Sequence, residues 1–408
     1  MELERLTPAV SLTLLTTALA VAAPLSGQAN DPGTTDSASA VHESARHDFR
    51  VVTVAEGFDH PWSIAWLPNG DMLVTERAGR LRIVRDGKLL PQPVEGVPRV
   101  RARGQGGLLE VLPHPDFASN RLIYLSFAKP NDDESLATTA VVRGRLEGDR
   151  LVDVQEIFEA KAWASGNVHF AGRMVFDRDG YLYLSVGDRG EAPNLMTEHP
   201  AQSLDQHQGT VIRLGDDGQV PADNPFIGET GAMPEVWSFG HRNPQGLAVH
   251  PQTGEVWENE HGPRGGDEVN LIRKGLNYGW PVVSFGINYN GSVYSLEEHR
   301  QGMESPLWTW VPSIATSGML FYTGDEFPWW QGSIFVGGLA GERLTRLTLE
   351  GERVVSSETL LAGVLGRIRD VRQGPDGFLY LAIDDRRGGS LTRVVRLEPV
   401  AGDVAPPR

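Results

Sequence analysis

The chain has 408 residues, 40% hydrophobic and 22% charged, which is enough for one large domain with a sizeable core. Its formal net charge of −16 excludes nucleic acid and anionic membrane surfaces as general partners, so an anionic ligand would need a local basic pocket. With no cysteine, disulfides, thiolate zinc sites, iron–sulfur clusters and covalently held haem are all excluded, and any electrons the chain moves must leave through a separate acceptor.

The apolar stretch from Ala9 to Ala23, followed by small residues, has the form of a secretory signal over residues 1–29. It is short and interrupted by threonines, which argues against stable membrane insertion and for a periplasmic or secreted protein. Residues 30–48 are polar and small, the composition of a flexible lead-in. The folded domain is expected over residues 49–400, with a tail at 401–408.

Within that domain one pattern recurs: an apolar residue, a turn built on Pro, Asp, Asn and Gly, then an alternating apolar run. The copies are "WLPNGDMLVTE" from Trp66, "VLPHPDFASNRLIYLSFA" from Val111, "VFDRDGYLYLSVGDRG" from Val175, "VHPQTGEVWENEHG" from Val249, the weaker "FPWWQGSIFVGGLAG" from Phe327 and "QGPDGFLYLAIDD" from Gln373. Repeats about 45 to 80 residues apart, each with a short-strand hairpin, predict an all-β six-bladed β-propeller with long inter-strand loops. Two β-sandwiches are the plainer alternative. In a propeller, function is expected where loops of several blades converge on the central channel, forming the active-site face.

Chemistry-bearing residues follow in chain order. Gln105 lies in the glycine-rich "RGQGGLL", able to donate to and accept from a ligand carbonyl. His169 precedes the strand in "GNVHFAGRMVF" and Asp188 follows the same hairpin in "SVGDRG", so a hairpin closed by "DRDG" would bring imidazole and carboxylate together as an oriented general base. The same spacing also suits a histidine that packs at a strand end while Asp188 caps the next turn. In "FGHRNPQGLAVHP", Pro244 stiffens the backbone before it and presents Arg242 and Asn243 as directed donors, or Arg242 as a staple between loops.

"NEHGPRGGDEVN" offers an ion site in which Gly262 and Pro263 ligate calcium by their carbonyl oxygens, with Asp267 and Glu268 supplying negative field or holding the loop. A solvated acidic loop is the other reading. Finally "GRIRDVRQ" sets Arg367 and Arg369 on one face at strand period, an anion grip in an acidic protein, with Arg372 out of phase as a solvated charge. Phosphate loops, HExxH, GxSxG and a strand-to-helix GxGxxG are missing, which argues against nicotinamide chemistry on a Rossmann unit.

The ordered set "GQGGLL", "VHFAGRMVF" with "SVGDRG", "GHRNPQGLA", "EHGPRGGDEVN" with "KGLNYGWP", and "GRIRDV" with "GPDGFLYL" resembles the soluble quinoprotein glucose/aldose sugar dehydrogenases. Those are six-bladed propellers using pyrroloquinoline quinone (PQQ) and calcium. The resemblance implies His169 as base toward the anomeric hydroxyl of an aldose, Asp188 as its orienting partner, and Arg242 polarising a quinone carbonyl. Asn243 and Gln105 would fix cofactor oxygens, Arg367 and Arg369 would take cofactor carboxylates, and Gly262 and Pro263 would hold calcium. It further implies oxidation of aldoses to lactones by a monomer or homodimer, with an external electron acceptor, a quinone or a small redox protein. In "VGGLAGERL", Ala340 stands where glucose-oxidising members have a lysine that meets the quinone. A calcium-dependent lactonase propeller and a non-catalytic binding propeller are the competing functions.

Overall fold

The computed structural model describes residues 40–384 and 391–400. The expected signal sequence, the lead-in up to residue 39 and the tail at 401–408 lie outside the described residues. Two strands, β1 (Val41–His42) and β2 (Phe49–Phe58), come first in the chain and belong to the last sheet. The first blade is β3 (Pro61–Trp66), β4 (Met72–Glu76), β5 (Arg80–Arg85) and β6 (Lys88–Leu89). The second is β7 (Leu108–Pro113), β8 (Leu122–Pro130), β9 (Ala137–Glu147) and β10 (Arg150–Glu159). The third is β11 (Ala171–Phe176), β12 (Leu182–Val186), β13 (Thr210–Leu214) and β14 (Val236–Phe239).

The fourth blade holds β15 (Pro244–Val249), β16 (Val256–Glu260), β17 (Asp267–Leu271) and β18 (Trp308–Trp310). The fifth holds β19 (Thr316–Phe321), β20 (Ile334–Gly338), β21 (Arg343–Glu350) and β22 (Arg353–Leu360). The sixth holds β23 (Arg367–Gln373), β24 (Leu379–Asp384) and β25 (Thr392–Pro399), completed by β2, which pairs with β25 from Phe49 opposite Pro399 to Phe58 opposite Thr392. The first strand of each blade packs on that of the next, and β23 packs back on β3, so the six sheets close a ring around a central channel.

Five of the six repeats seen in the sequence are the end of a blade's first strand, its turn and its second strand, because the turn residues are placed where the chain must reverse between two period-2 runs; the weaker copy from Phe327 begins beyond β19 and holds only the turn and β20. The blades meet through apolar faces, as where Leu73, Leu81 and Ile83 of one blade pack with Leu108, Val111, Ile123 and Phe127 of the next. Among the described residues no helix is long and apolar enough to cross a membrane.

The lead-in expected to be flexible is built into the fold from Val41, which pairs with Arg50. His47 is buried against Phe327 and Trp330, and its Nε2 accepts a hydrogen bond from Trp329 N at 3.0 Å, so this segment ties the sixth blade to the fifth.

All six first strands carry a bulge close to their N-terminal ends. In β23 it falls between Ile368 and Asp370 and corrects the reading of Arg372. The extra residue brings Asp370 and Arg372 into the channel together, and Arg372 is no solvated charge. Its Nε donates to Asp370 Oδ2 at 2.9 Å and its Nη2 to Glu110 Oε1 at 2.5 Å. Arg173 Nη1 lies 2.7 Å from Glu110 Oε2 and 3.1 Å from Asp370 Oδ1, while its guanidinium sits 4.2 Å above the Trp62 ring. Ser63 Oγ and Ile64 N donate to the same two carboxylates, and Arg173 Nε donates to Gln245 O, so one buried network joins five blades.

Candidate active site

Strands β11 and β12 pair with Ala171 opposite Val186, so the residues just outside them, His169 and Asp188, face each other. His169 Nδ1 and Asp188 Oδ1 are 2.6 Å apart. Gly187 between them allows the approach: a Cβ there would lie 2.2 Å from His169 O and 3.1 Å from Asn243 Oδ1. His169 and Ala171 hold left-handed backbone, φ 53° and 54°, a strain of about 1–3 kcal/mol each that the surroundings must offset. Gln105 Oε1 accepts from His169 N at 2.8 Å, and Thr139 Oγ1 donates to Phe170 O at 2.7 Å. Arg189 stacks 3.4 Å over the Phe170 ring and donates to the carbonyls of Gly166 and Val168.

The Asp188 carboxylate also accepts from Gly190 N and from Trp280 Nε1, each at 2.8 Å. Burial pushes its pKa up, but His169, Arg242 and the Gly190 N–H together outweigh burial and hold it below the usual carboxylate range. Burial pulls His169 below the ordinary imidazole value, with Asp188 opposing and Arg242 adding to the fall. At neutral pH the pair is therefore carboxylate and neutral imidazole, with the proton on Nδ1 facing Asp188 and the Nε2 lone pair free to take another.

The backbone of Arg242 joins this pair to the fourth blade, since its carbonyl accepts from Asp188 N at 2.8 Å. Its Nη1 donates to His261 O at 3.1 Å and Gly262 O at 2.8 Å, so the Gly262 carbonyl expected to ligate calcium is engaged by a guanidinium. Pro263 follows it in the turn, and Asp267 holds that turn, accepting from Gly262 N, Ser313 Oγ and Ile314 N. Asn243 Nδ2 lies 3.3 Å from His261 Nδ1 and its Oδ1 accepts from Gln245 Nε2 at 3.2 Å. Burial, reinforced by Arg242, pushes His261 down to about 3, so this ring is neutral.

From the sixth blade Arg367 and Arg369 converge on one carboxylate, Asp384 Oδ2, at 3.5 and 3.7 Å, and Arg369 Nη1 donates to Gln245 Oε1 at 3.1 Å. Burial pushes Arg369 down to about 10, with Asp384 opposing and Arg367 adding to the fall. Ala340 is exposed at the end of β20, and Arg343, which opens β21, keeps its Nε buried without a partner.

Behind His261 stands an acidic cluster. His241, Glu258 and Glu260 are buried and each offers a ligand atom within 4.8 Å of the others. Glu268 lies across from Glu260 on β17, and Asn270 Nδ2 donates to both Glu258 and Glu268. Burial and the neighbouring Glu260 drive Glu258 and Glu268 well above the usual glutamate range. Among the described residues no basic side chain pairs with either. A cavity of about 10 Å³ lined by Glu260, Glu268, Gly262, Gly266, Tyr278 and Arg242 lies beside them.

The structure thus gathers His169, Asp188, Arg242, Asn243 and Gln105 at one place, and links Arg369 to them through Gln245. Sequence reasoning missed Trp280, Gln245, His261, Asp384 and the Glu258–Glu260 pair. Trp280 lies 92 residues from Asp188, beyond anything local spacing encodes, although it belongs to the quoted "KGLNYGWP". Glu258 and Glu260 were legible as inward-facing acids at strand period in "VWENEHG".

The family model described as "Glucose / Sorbosone dehydrogenase" matches residues 58–393. The chain is 45% identical over 345 residues to aldose sugar dehydrogenase YliI of Escherichia coli, covering 83% of this chain and 91% of that one. The crystal structure of the soluble aldose sugar dehydrogenase of Escherichia coli in its apo-form is 44% identical, with a TM-score of 0.80 over 86% of this chain and 100% of that one. The PQQ-bound aldose sugar dehydrogenase of Streptomyces coelicolor is 29% identical, with a TM-score of 0.71 over 87% of this chain and 99% of that one.

Proposed function

The chain belongs to the glucose/sorbosone dehydrogenase family, and on that premise we propose that it is a PQQ- and calcium-dependent dehydrogenase oxidising aldoses at the anomeric carbon to lactones. The observation that carries this reading is the buried His169–Asp188 pair, 2.6 Å apart, set beside Arg242 and Asn243 in a protein of net charge −16.

The residues present fit both groups. For an anionic quinone, two guanidiniums share one carboxylate at Asp384, and among the described residues Arg242 Nε is buried without a hydrogen-bond partner while Arg367 Nε has only its 3.5 Å ion-pair contact to Asp384. For a hard cation, Glu258 is buried and Glu268 half-buried, neither has a basic partner among the described residues, and Glu258 Oε1 and Asn270 Oδ1 are orphaned. Arg242, Asn243, Gln105, Arg367 and Arg369 would hold the quinone. The carbonyls of Gly262 and Pro263 would hold calcium in the field of Glu260 and Glu268. When bound, these groups supply the hydride acceptor and a Lewis acid that sharpens it.

The protein's own part is proton handling and orientation. His169 Nε2 takes the proton of the anomeric hydroxyl as the hydride leaves the anomeric carbon, and Asp188 stabilises the imidazolium that forms. Trp280 and Gly190 fix the carboxylate, Asp188 fixes the imidazole, and the Gln105 and Arg189 bonds hold the strained loop that carries it. Because the chain has no cysteine to hold a metal cluster or haem of its own, the electrons would leave to an external acceptor, a quinone or a small redox protein, in the periplasm or outside the cell.

The test is dye-linked oxidation of an aldose panel by purified protein, with PQQ, calcium, both or neither. Turnover only with both is the expected result. No turnover and no quinone uptake would refute the reading.

A further inference from the structure

Five groups from three blades form a single line of hydrogen bonds across the floor of the site. Arg369 Nη1 donates to Gln245 Oε1 at 3.1 Å, and Gln245 Nε2 donates to Asn243 Oδ1 at 3.2 Å. Asn243 Nδ2 then meets His261 Nδ1 at 3.3 Å, and His261 Nε2 meets Thr316 O at 2.6 Å.

The ends of this line fix its direction. A guanidinium can only donate and a backbone carbonyl can only accept, so every group between them must accept on the Arg369 side and donate on the Thr316 side. The Gln245 oxygen therefore faces Arg369 and its NH2 faces Asn243. The Asn243 NH2 in turn faces His261, whose single ring proton sits on Nε2. Arg369, Gln245 and Asn243 are buried and His261 is half-buried, so the Arg369–Gln245–Asn243 links cannot trade their partners for water.

Gln245 is the member that touches both sides. It meets a guanidinium of the proposed carboxylate grip and the amide of the proposed quinone-oxygen ligand, while its own backbone carbonyl is held by Arg173 Nε at 2.9 Å. Its backbone is thus anchored to the neutral network that closes the channel below.

We propose that Gln245 is a positioning residue for the cofactor: it holds the Asn243 amide in its observed rotation and it aims Arg369. This rests on the proposed quinone function, and it adds that the cofactor's two sets of contacts, from the fourth and sixth blades, are oriented by one side chain. In the apoprotein the amide of Asn243 is consequently preset, with its second N–H left over for a ligand oxygen.

Gln245→Met severs both links at similar volume. PQQ affinity is measured by titration with calcium present for Gln245→Met, Asn243→Ala and the double variant, so that the coupling between the two positions is read directly.

Expected are PQQ binding weakened about tenfold or more in Gln245→Met, and a double variant whose loss is well short of the two single losses combined. A packing defect would add to the loss from Asn243→Ala, so additive losses in folded variants overturn the proposal, as does a Gln245→Met affinity equal to that of the parent. Should Gln245→Met not fold, Gln245→Glu keeps the acceptor for Arg369 and removes the donor to Asn243, with the same overturning results. Failure of the parent protein to take up PQQ would sink the proposed function, whereas uptake by the parent with additive or absent losses sinks only the role of Gln245.

Discussion

Replacing Asp188 by asparagine tests the base assignment at constant side-chain size. The carboxylate accepts from His169 Nδ1 and Gly190 N at Oδ1 and from Trp280 Nε1 at Oδ2. An amide has one acceptor oxygen for these donors. If that oxygen faces His169, the NH2 opposes the Trp280 N–H. One charge-assisted bond is then lost and the charge that stabilises the imidazolium disappears, together about 1.5–3 kcal/mol. If the NH2 faces His169 instead, the ring takes the other tautomer and Nε2 no longer carries a lone pair.

At about 1.4 kcal/mol per factor of ten, the first arrangement lowers kcat by about 10- to 150-fold. The second approaches the roughly 10⁴-fold loss that the same change causes beneath a catalytic histidine elsewhere. The assay is dye-linked aldose oxidation at saturating PQQ and calcium, with PQQ affinity measured separately and expected to stay within a few-fold of the parent. A kcat within threefold of the parent, in a variant that folds and binds PQQ, would refute the base assignment.

Other outcomes follow from the same geometry. Arg173→Met leaves Glu110 and Asp370 buried beside Arg372 alone, so unfolding free energy should fall by about 3–5 kcal/mol, read from denaturant midpoints. A loss below 1 kcal/mol would mean the network contributes no closure. Calcium binding should release protons, because burial and Glu260 raise Glu258 and Glu268 well above the usual glutamate range in the apoprotein and a bound cation favours their charged forms. Titration calorimetry in buffers of different ionisation enthalpy should show this, and a heat independent of the buffer would place the cation elsewhere. Stability should fall as pH drops through about 6.5, since burial depresses His47, His169 and His199 in the fold while the unfolded chain takes up their protons. Glu258 and Glu268 act in the opposite sense: their folded-state pKa is raised, so the calcium-free protein should also lose stability as pH rises. Calcium should remove only this alkaline loss, as thermal denaturation across pH with and without chelator would show.

The propeller was legible because its hairpin turns are encoded locally: Asn-Gly, Asp-Gly and Thr-Gly stand where period-2 runs must reverse, and the fold places a blade's first turn at each. The pairing of His169 with Asp188 was legible for the same reason, since one hairpin spans both. What sequence periodicity could not carry was the bulge. Alternation assigns Arg367 and Arg369 to one face and Arg372 to the other, but the extra residue between Ile368 and Asp370 resets the phase, and Arg372 enters the channel with Asp370. Contacts between blades were equally hidden, because Trp280, Gln245 and Asp384 meet their partners only after the ring closes.

In the same channel the arginines of the buried network differ from those proposed to bind the cofactor. In the plug, two guanidiniums, Arg173 and Arg372, meet two carboxylates, Glu110 and Asp370, and the charges balance. At the site, among the described residues, Arg367 and Arg369 share Asp384 at 3.5 and 3.7 Å, longer than any direct contact between a guanidinium and a carboxylate in that network. Proximity to an acid is therefore common to both sets, and stoichiometry and distance distinguish them. Among the described residues a half-buried Arg367 and a buried Arg369 meet one loosely held carboxylate; burial pushes Arg369 down to about 10 with Arg367 adding to the fall, and a ligand bearing further carboxylates would relieve it. The surplus positive charge lies on the strand that Gln245 connects to Asn243, which is where an anionic quinone would need it.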